Sequence, residues 1–220
     1  MGSATIAAKA PPTIYAITEK FMSSSKPIQR RLAYDARNAQ QDKTRLSQII
    51  ANTVLHVAEY QHAETVLWYL HCRSEVHTYQ IVMDELLKQD KKIVIPYCTK
   101  DKQGNNHLGL WYLQDVSELV EGTWRILEPP KARWGEAGKE VSPQQIGCVV
   151  VPGVAFDKQG GRLGNGAGYY DRLFSRLKAS SALLGICFDC QLVEQVCMQK
   201  YDIHMDKVIT ETGIYHGRGR

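Results

Sequence analysis

Apolar residues along this chain form short continuous runs that alternate with longer stretches of helical spacing. The short runs fit buried strands and lie at 65–70, 92–97, 108–113, 147–151 and 183–188, and the run at 147–151 is rich in β-branched residues. Helical spacing lies at 26–59 with a break near Asp42, from Glu75 onward, at 170–177 and at 190–199. Strands that alternate with helices predict a single-domain α/β fold, a three-layer α/β/α sandwich with a mostly parallel central sheet.

Glycines collect between the fourth of these strands and the helix that follows it. Pro152 and Gly153 end the strand, and the segment 164–168 reads G-N-G-A-G just before the helical stripe. Free backbone N–H groups and the helix dipole at such a junction favour an anion. Arg162 adds permanent positive charge at the loop entrance, and Asp157 and Asp171 place carboxylates within reach of a phosphate-bound Mg²⁺.

The glycine spacing matches neither the dinucleotide fingerprint nor the phosphate loop that ends in lysine, so a ligand-free connection remains an alternative. In open α/β sheets, ligands bind at the carboxyl ends of the strands. The loops that follow 65–70 and 147–151 both lie at such ends. Glu75 and the glycine loop are therefore expected to share one cleft.

Composition and charge narrow the function classes. The 220 residues are 44% hydrophobic and 23% charged, and the formal net charge is +4. This mild basicity suits a small anionic substrate and is not the dense patch of a nucleic-acid binder. No apolar run approaches the roughly 20 residues that cross a bilayer. We expect a cytoplasmic monomer with a flexible extension at 1–24, a domain at 25–216 and a loose tail at 217–220.

The six cysteines mostly lie in apolar runs, which is typical of reduced, packed thiols. Cys187 and Cys190 form a C-x-x-C motif that follows a predicted strand, so a redox pair is an alternative. Packed thiols are the favoured interpretation, because Cys187 belongs to the strand pattern and a second C-x-x-C for zinc is absent.

The segment 152–172 reads P-G-V-A-F-D-K-Q-G-G-R-L-G-N-G-A-G-Y-Y-D-R. It closely resembles the signature of the 5-formyltetrahydrofolate cyclo-ligase family, and the resemblance extends over about 26–215. The resemblance implies conversion of 5-formyltetrahydrofolate to 5,10-methenyltetrahydrofolate, with ATP as co-substrate, Mg²⁺ as cofactor, and ADP and phosphate as products. A phosphorylated formyl group, an imidate, would be the intermediate.

The resemblance also implies residue roles. Arg162 and Tyr169 match catalytic positions, and Asp171 and Asp202 match carboxylates on the metal side. The ATP-binding positions would be Lys26, Arg30, Arg162, Leu163, Gly164, Asn165, Gly166, Ala167, Gly168, Tyr169 and Tyr170. The folate-binding positions would be Leu70, Glu75, Asn165, Gly166, Ala167, Gly168 and Tyr169.

Three positions of the match differ from the pattern of the family. Gln29 stands where the family often has leucine, so Arg31 is an alternative to Arg30. Asn165 and Ala167 stand where basic residues can occur, which puts the affinity for phosphate or folate carboxylates in question. Two other functions stay open: a phosphoryl-transfer enzyme acting on another acyl amine, and a non-catalytic folate- or nucleotide-binding module.

Overall fold

The computed structural model describes residues 25–122 and 125–220, and the expected extension at 1–24 lies outside the described residues. The helices in the described part are α1 Lys26–Ala39, α2 Lys43–His56, α3 Ala58–Gln61, α4 Tyr79–Lys88 and α5 Tyr169–Phe174. The strands there are β1 Thr65–Leu67, β2 Lys92–Lys100, β3 Asn106–Tyr112, β4 Val120–Glu121, β5 Leu127–Glu128, β6 Cys148–Val151, β7 Ala155–Asp157, β8 Arg162–Leu163, β9 Ala182–Ile186, β10 Leu192–Val193, β11 Lys207–Ile209 and β12 Ile214–His216.

Seven strands form the central sheet in the order β12-β11-β9-β6-β1-β2-β3. The five inner strands are parallel, and the edge strands β3 and β12 pair antiparallel. The strand order reverses direction between β1 and β6, which share the register Val66↔Cys148. A doubly wound sheet opens a crevice at such a reversal, beyond the carboxyl ends of the two strands. The topology therefore marks the ends of β1 and β6 as the place for a ligand.

Helices cover both faces of this sheet, which confirms the predicted α/β/α class. On one face, Leu46, Ile50 and Val54 of α2 pack against a fully buried layer of the inner strands. On the other face, Leu173 and Phe174 of α5 pack against the alternate strand residues. Side chains alternate between the faces because strand geometry has a period of two. The predicted break between the first two helices is also present, and Asp42 adopts a left-handed φ of 54° there.

A small second sheet, ordered β10-β7-β8, carries the entrance of the glycine loop. Helix α1 packs against it through Ala33, which lies in one buried cluster with Val154 and Leu163. This packing brings the basic face of α1 to the carboxyl end of β6. In the described residues, no helix is both long enough and apolar enough to cross a membrane.

The prediction of a helix at 190–199 is wrong. The chain there forms a single 3-10 turn, Asp189–Gln191, then β10 and an irregular segment. Distant side chains bind the backbone groups that a helix would need: Asp157 accepts from the Val196 N–H at 2.8 Å, and Gln29 bonds to Gln195 O and Cys197 N. Tertiary hydrogen bonds thus override an apolar spacing that suits a helix.

The helix predicted from Glu75 begins later, at Tyr79. His71 Nδ1 accepts hydrogen bonds from the backbone N–H groups of Thr78 and Tyr79, at 3.1 and 3.3 Å. These are donors that the first turn of a helix leaves without partners, so His71 fixes where α4 starts. Glu75 consequently lies in the loop between β1 and α4 instead of in a helical turn.

Residues 217–220, for which the sequence predicts a loose tail, form hydrogen bonds with the rest of the domain. Gly217 N donates to Asp206 O and Arg218 N donates to Gln159 O, both at 2.9 Å. The Arg220 guanidinium donates to backbone carbonyls after α5, including Lys178 O at 3.0 Å. These hydrogen bonds connect residues 217–220, called the C-terminal strap below, to the segments around Gln159, Lys178 and Asp206.

Candidate active site

A cavity of about 430 Å³ opens at the carboxyl ends of β1 and β6, where the strand order reverses. Its walls come from the loops after these strands, α1, the β2–β3 hairpin and the glycine loop. Every residue predicted for a catalytic, nucleotide, folate or metal role lines it: Lys26, Arg30, Leu70, Glu75, Arg162, Leu163, Gly164, Asn165, Gly166, Ala167, Gly168, Tyr169, Tyr170, Asp171 and Asp202. Residues distant in sequence thus share one cleft.

The glycine loop owes its path to backbone conformations that other residues adopt with strain. Gly166 has a φ of +92° and Gly168 has a φ of +70°. A Cβ on Gly166 would also lie 3.3 Å from Arg30 Nη2, and one on Gly168 would lie 2.7 Å from Arg172 Nη1. Glycine is therefore required both for the turn and for the close approach of two guanidinium groups.

Three side chains from two helices hold this loop. Arg30 of α1 donates from Nε to Gly164 O at 2.8 Å, and the Tyr34 hydroxyl donates to Asn165 Oδ1. Arg172 of α5 donates to Ala167 O. The loop is thus connected to α1 on one side and to its own helix on the other.

The position of Arg30 distinguishes it from Arg31. Arg30 lines the cavity and contacts the glycine loop, whereas Arg31 is exposed and does not line the cavity. Gln29, where the family often has leucine, is fully buried and bonds to the segment 195–197. This anchoring fixes the register of α1 and points Arg30 into the cleft.

Arg162 forms the floor of the polar end of the cavity. Its side chain is 6% exposed, and Nη2 donates to Asp171 Oδ1 at 2.9 Å. The guanidinium lies over the rings of Tyr170 and Phe174, with centroid distances of 5.5 and 5.4 Å. Arg162 Nε is buried and makes no hydrogen bond in the described structure. A fixed, desolvated guanidinium with a donor to spare is well suited to an anionic ligand.

A second ion pair joins α1 to the segment before β11. Lys26 Nζ lies 2.7 Å from Asp202 Oδ2, and both side chains remain about one-fifth exposed. The same oxygen accepts from Gln199 N at 2.7 Å. Lys26 and Asp202 were predicted to serve phosphate and metal, and the structure places them in contact with each other at the cavity wall.

Glu75 lines the cavity from the loop after β1, and its side chain is 14% exposed. Its Oε2 accepts from Cys72 N at 3.0 Å, and its Oε1 lies 4.0 Å from Arg37 Nη1. Burial raises the pKa of the Glu75 carboxyl, although the Cys72 N–H and Arg37 oppose that shift. The Glu75 carboxyl group therefore offers hydrogen-bond acceptors to a cavity that is also lined by apolar side chains.

The two tyrosines that open α5 differ in their surroundings. Burial raises the pKa of the Tyr169 hydroxyl, which bonds to the Cys98 thiol across the cavity. Tyr170 packs on Phe174 at 5.8 Å, and burial raises the pKa of its hydroxyl still more. Both hydroxyls therefore stay protonated near neutral pH and act as hydrogen-bond donors rather than bases.

Several lining residues carry no motif that sequence reasoning could detect: Tyr69, Pro96, Tyr97, Cys98 and Leu108. Tyr97 stacks on Trp134 at 4.6 Å, which makes this wall rigid and aromatic. Ile126 and Glu128 also line the cavity and belong to the apolar segment that ends in Glu-Pro-Pro.

Asp157, considered as a possible partner of a cation, does not line the cavity. It is 2% exposed, and its carboxylate accepts from the backbone of Gln159, Gly161 and Val196. These bonds give it a structural role in the turn before β8. The C-x-x-C thiols are similarly inert: burial raises the pKa of Cys187 well above its ordinary value and that of Cys190 to about 11.

The donor set at the polar end suits Mg²⁺ bound together with phosphate. Within residues 25–122 and 125–220, no three His, Cys, Asp or Glu side chains converge into a metal cluster. Asp171 and Asp202 offer hard carboxylate oxygens, and the Asp171 side chain is 35% exposed to the cavity. Mg²⁺ is usually held by one or two carboxylates plus substrate phosphates and water, so two ligands are sufficient.

Comparison with known proteins agrees with this geometry. The model of the 5-formyltetrahydrofolate cyclo-ligase family matches residues 22–211. The mouse 5-formyltetrahydrofolate cyclo-ligase is 26% identical over 176 residues, which is 78% of this chain and 85% of the mouse protein. The Escherichia coli K12 enzyme of that name is 30% identical over 155 residues, which is 70% of this chain and 81% of the bacterial protein.

Solved structures of similar fold include two 5,10-methenyltetrahydrofolate synthetases. The structure of Aquifex aeolicus 5,10-methenyltetrahydrofolate synthetase superimposes with a TM-score of 0.72 at 28% identity, and the match covers 89% of this chain and 94% of that one. The Mycoplasma pneumoniae synthetase, at 21% identity and a TM-score of 0.66, shares the fold. The sheet order, the cleft at its reversal and these matches agree, and the chain belongs to the 5-formyltetrahydrofolate cyclo-ligase family.

Proposed function

We propose that this protein uses ATP and Mg²⁺ to cyclise 5-formyltetrahydrofolate to 5,10-methenyltetrahydrofolate, with release of ADP and phosphate. The observation that supports this most directly is the composition of the single cleft at the carboxyl ends of β1 and β6. Its lining combines the cations Lys26, Arg30 and Arg162 with the Glu75 carboxylate and an apolar and aromatic wall. A triphosphate and a pterin require these two environments.

The reaction must make a formamide oxygen into a leaving group. In the proposed route, the formyl oxygen of the substrate attacks the γ-phosphorus of ATP, the bond to the β–γ bridging oxygen breaks, and ADP leaves. The neighbouring anilino nitrogen then attacks the activated formyl carbon and releases its proton, the ring closes, and the former formyl oxygen departs as part of phosphate, which takes up that proton. The formyl carbon changes no oxidation state, so the step needs no redox partner.

Phosphoryl transfer depends on positioning and charge neutralisation more than on a covalent nucleophile. Arg162 supports this role because its guanidinium is buried, held by Asp171, and has an unused donor at Nε. Lys26 and Arg30 approach from α1 on the opposite wall. Together these cations would bind the phosphates and stabilise the charge that develops during transfer.

Asp171 and Asp202 are the proposed Mg²⁺ ligands. A bound Mg²⁺ supplies neutralisation of phosphate charge during the transfer. Each of the two carboxylates contacts a cationic side chain, Arg162 and Lys26 respectively. These contacts keep the carboxylates oriented toward the polar end of the cavity.

The substrate end is proposed to bind the pterin ring. The Glu75 carboxylate can accept from the donor edge of an aminopyrimidine, which is a favourable charge-assisted pairing. Leu70 and the aromatic wall would contact the ring faces. Tyr169 lies at the start of α5, where its protonated hydroxyl could donate to the formyl oxygen.

The test is absorbance of the purified protein with 5-formyltetrahydrofolate and MgATP, and with each omitted in turn. Growth of the methenyl chromophore only in the complete mixture is the expected result. If ATP is hydrolysed without that chromophore, the protein is a phosphoryl-transfer enzyme with another substrate. If folate binds with no turnover of any kind, the protein is a binding module.

A further inference from the structure

Arg37 is a buried cation outside the cavity, and it contacts the backs of two loops that form cavity walls. It lies near the end of α1 and is 3% exposed. Its Nε donates to Ser74 Oγ at 3.1 Å, and its Nη1 donates to Gly153 O at 3.4 Å. Ser74 belongs to the loop after β1, and Gly153 to the turn after β6. Arg37 therefore joins the two loops that flank the reversal of strand order.

Arg37 also faces the substrate-side carboxylate. Its Nη1 lies 4.0 Å from Glu75 Oε1, and these side chains are 4% and 14% exposed. Arg37 does not line the cavity, whereas Glu75 does. An effect of Arg37 on the substrate would thus be transmitted through Glu75.

The surroundings of Glu75 leave Arg37 as its nearest cationic partner. The Cys72 N–H bonds to the other carboxylate oxygen. Burial raises the pKa of Glu75, and Arg37 and the more distant Arg73 counteract that rise. Cys72, Tyr69 and Tyr170 are the other titratable groups that interact with Glu75, and burial keeps all three protonated.

We infer that Arg37 is a positioning residue for substrate recognition, which orients the Glu75 carboxylate toward the cavity from behind and fixes the two loops that flank it. The inference rests on the proposed function, because Glu75 is assigned there to the pterin. A cation within about 4–6 Å lowers a carboxyl pKa by about 1–3 units. Without Arg37, Glu75 should take up a proton at higher pH and cease to be a pure acceptor.

The test compares Arg37→Gln with wild-type protein by calorimetric binding of 5-formyltetrahydrofolate and, separately, of MgATP, over a range of pH. In the wild type, folate affinity should fall as the pH drops through the pKa of Glu75. In Arg37→Gln the same fall should occur at a higher pH, because the cation that lowers the pKa of Glu75 is gone. The dissociation constant for MgATP should stay unchanged in both proteins.

Three variants keep this test decisive. Arg37→Lys keeps the positive charge and should restore the wild-type pH profile. Loss of the forked guanidinium can still weaken folate binding by the same factor at every pH. Glu75→Gln removes the titrating group, so adding Arg37→Gln to it should produce no further pH dependence. Arg31→Gln, on the exposed side of the same helix, is the matched control and should bind both ligands as the wild type does.

Equal loss of folate and ATP binding in Arg37→Gln, with an unshifted pH profile, would overturn the inference and assign Arg37 to folding alone. That outcome is separate from failure of the proposed function. A wild-type protein that forms methenyl product while Arg37→Gln keeps a normal folate profile refutes only the role of Arg37. A wild-type protein that binds folate but forms no product refutes only the activity.

Discussion

Most charged side chains that line this cavity lie beside partners of opposite sign, whereas Arg30 bonds to a backbone carbonyl. Arg162 pairs with Asp171, Lys26 pairs with Asp202, and Glu75 has Arg37 behind it. Removing one member of a buried pair leaves an uncompensated charge, so substitutions here change both orientation and stability. Function at the residue scale must therefore be tested with variants whose folding is monitored in parallel.

Arg162→Ala is expected to lower the turnover number by about a hundredfold or more, since it removes a fixed donor to the transferring phosphoryl group. The measurement is the rate of methenyl formation at saturating ATP and folate, with thermal melting to confirm folding. Arg162→Lys keeps charge without the fork and should recover only part of the rate. A near-normal turnover number in Arg162→Ala would remove Arg162 from the mechanism.

Asp171→Asn is expected to raise the Mg²⁺ concentration needed for half-maximal activity, because a neutral amide is a weaker ligand for a hard cation. Titration of activity with MgCl₂ at fixed ATP measures this directly. Asp157→Asn is a useful comparison, since Asp157 lies outside the cavity. It should lower thermal stability and leave the metal requirement as it is, whereas an unchanged titration for Asp171→Asn would contradict the ligand role.

At the scale of elements, the glycine loop works because its neighbours supply the rigidity that glycine lacks. Arg30 and Tyr34 hold it from α1, and Arg172 holds it from α5. Positive φ angles at Gly166 and Gly168 turn the chain into the helix. The glycine-rich sequence predicts a flexible loop, but side chains from α1 and α5 fix its conformation.

Gly166→Ala is expected to raise the KM for ATP several-fold, because the new Cβ would approach Arg30 and the backbone would be strained. Residues forced into rare backbone regions cost about 1–3 kcal/mol. For a domain of this size, each 1 kcal/mol lowers Tm by roughly 2–4 °C. Kinetics and melting curves test both effects.

Gly213→Ala is the control for this substitution, since nothing lies within 4 Å of its Cβ position and its φ is not positive. It should resemble the wild type in both measurements. Equal KM values for ATP in all three proteins would show that the Gly166 conformation is unimportant for nucleotide binding.

At the scale of the whole molecule, the sheet decides where chemistry can occur. The five parallel strands bring the loops after β1 and β6 to the same edge, and α1 crosses above them. The C-terminal strap crosses the same domain and bonds to the segments 157–160 and 205–206. The end of the chain therefore contributes to the stability of the fold.

Deletion of residues 217–220 is expected to lower Tm by a few degrees, since each lost hydrogen bond contributes about 1 kcal/mol. Arg220→Ala alone should produce a smaller decrease, because the backbone bonds of Gly217 and Arg218 remain. Melting temperatures that do not change in either protein would restore the interpretation of a loose tail.

The sequence by itself determined the order of most strands and helices, the glycine loop and the family signature. These features follow from local periodicity and from residues such as Gly166 and Arg162, whose chemistry is visible without a partner. The strand at 147–151 and the break at Asp42 were predicted on that basis and are present. Other side chains of the cavity wall, such as Tyr97 and Leu108, gave no local signal.

Only the tertiary structure decided which basic residue of α1 enters the cleft, where α4 begins, and that the segment 190–199 is not helical. Each of these depends on a partner far along the chain: Gln29 with 195–197, His71 with the start of α4, and Asp157 with Val196. Periodicity indicates which face of a segment is buried, but it does not indicate which distant polar group will form hydrogen bonds with the backbone of that segment. For that physical reason the positioning role of Arg37 emerged only from the assembled fold.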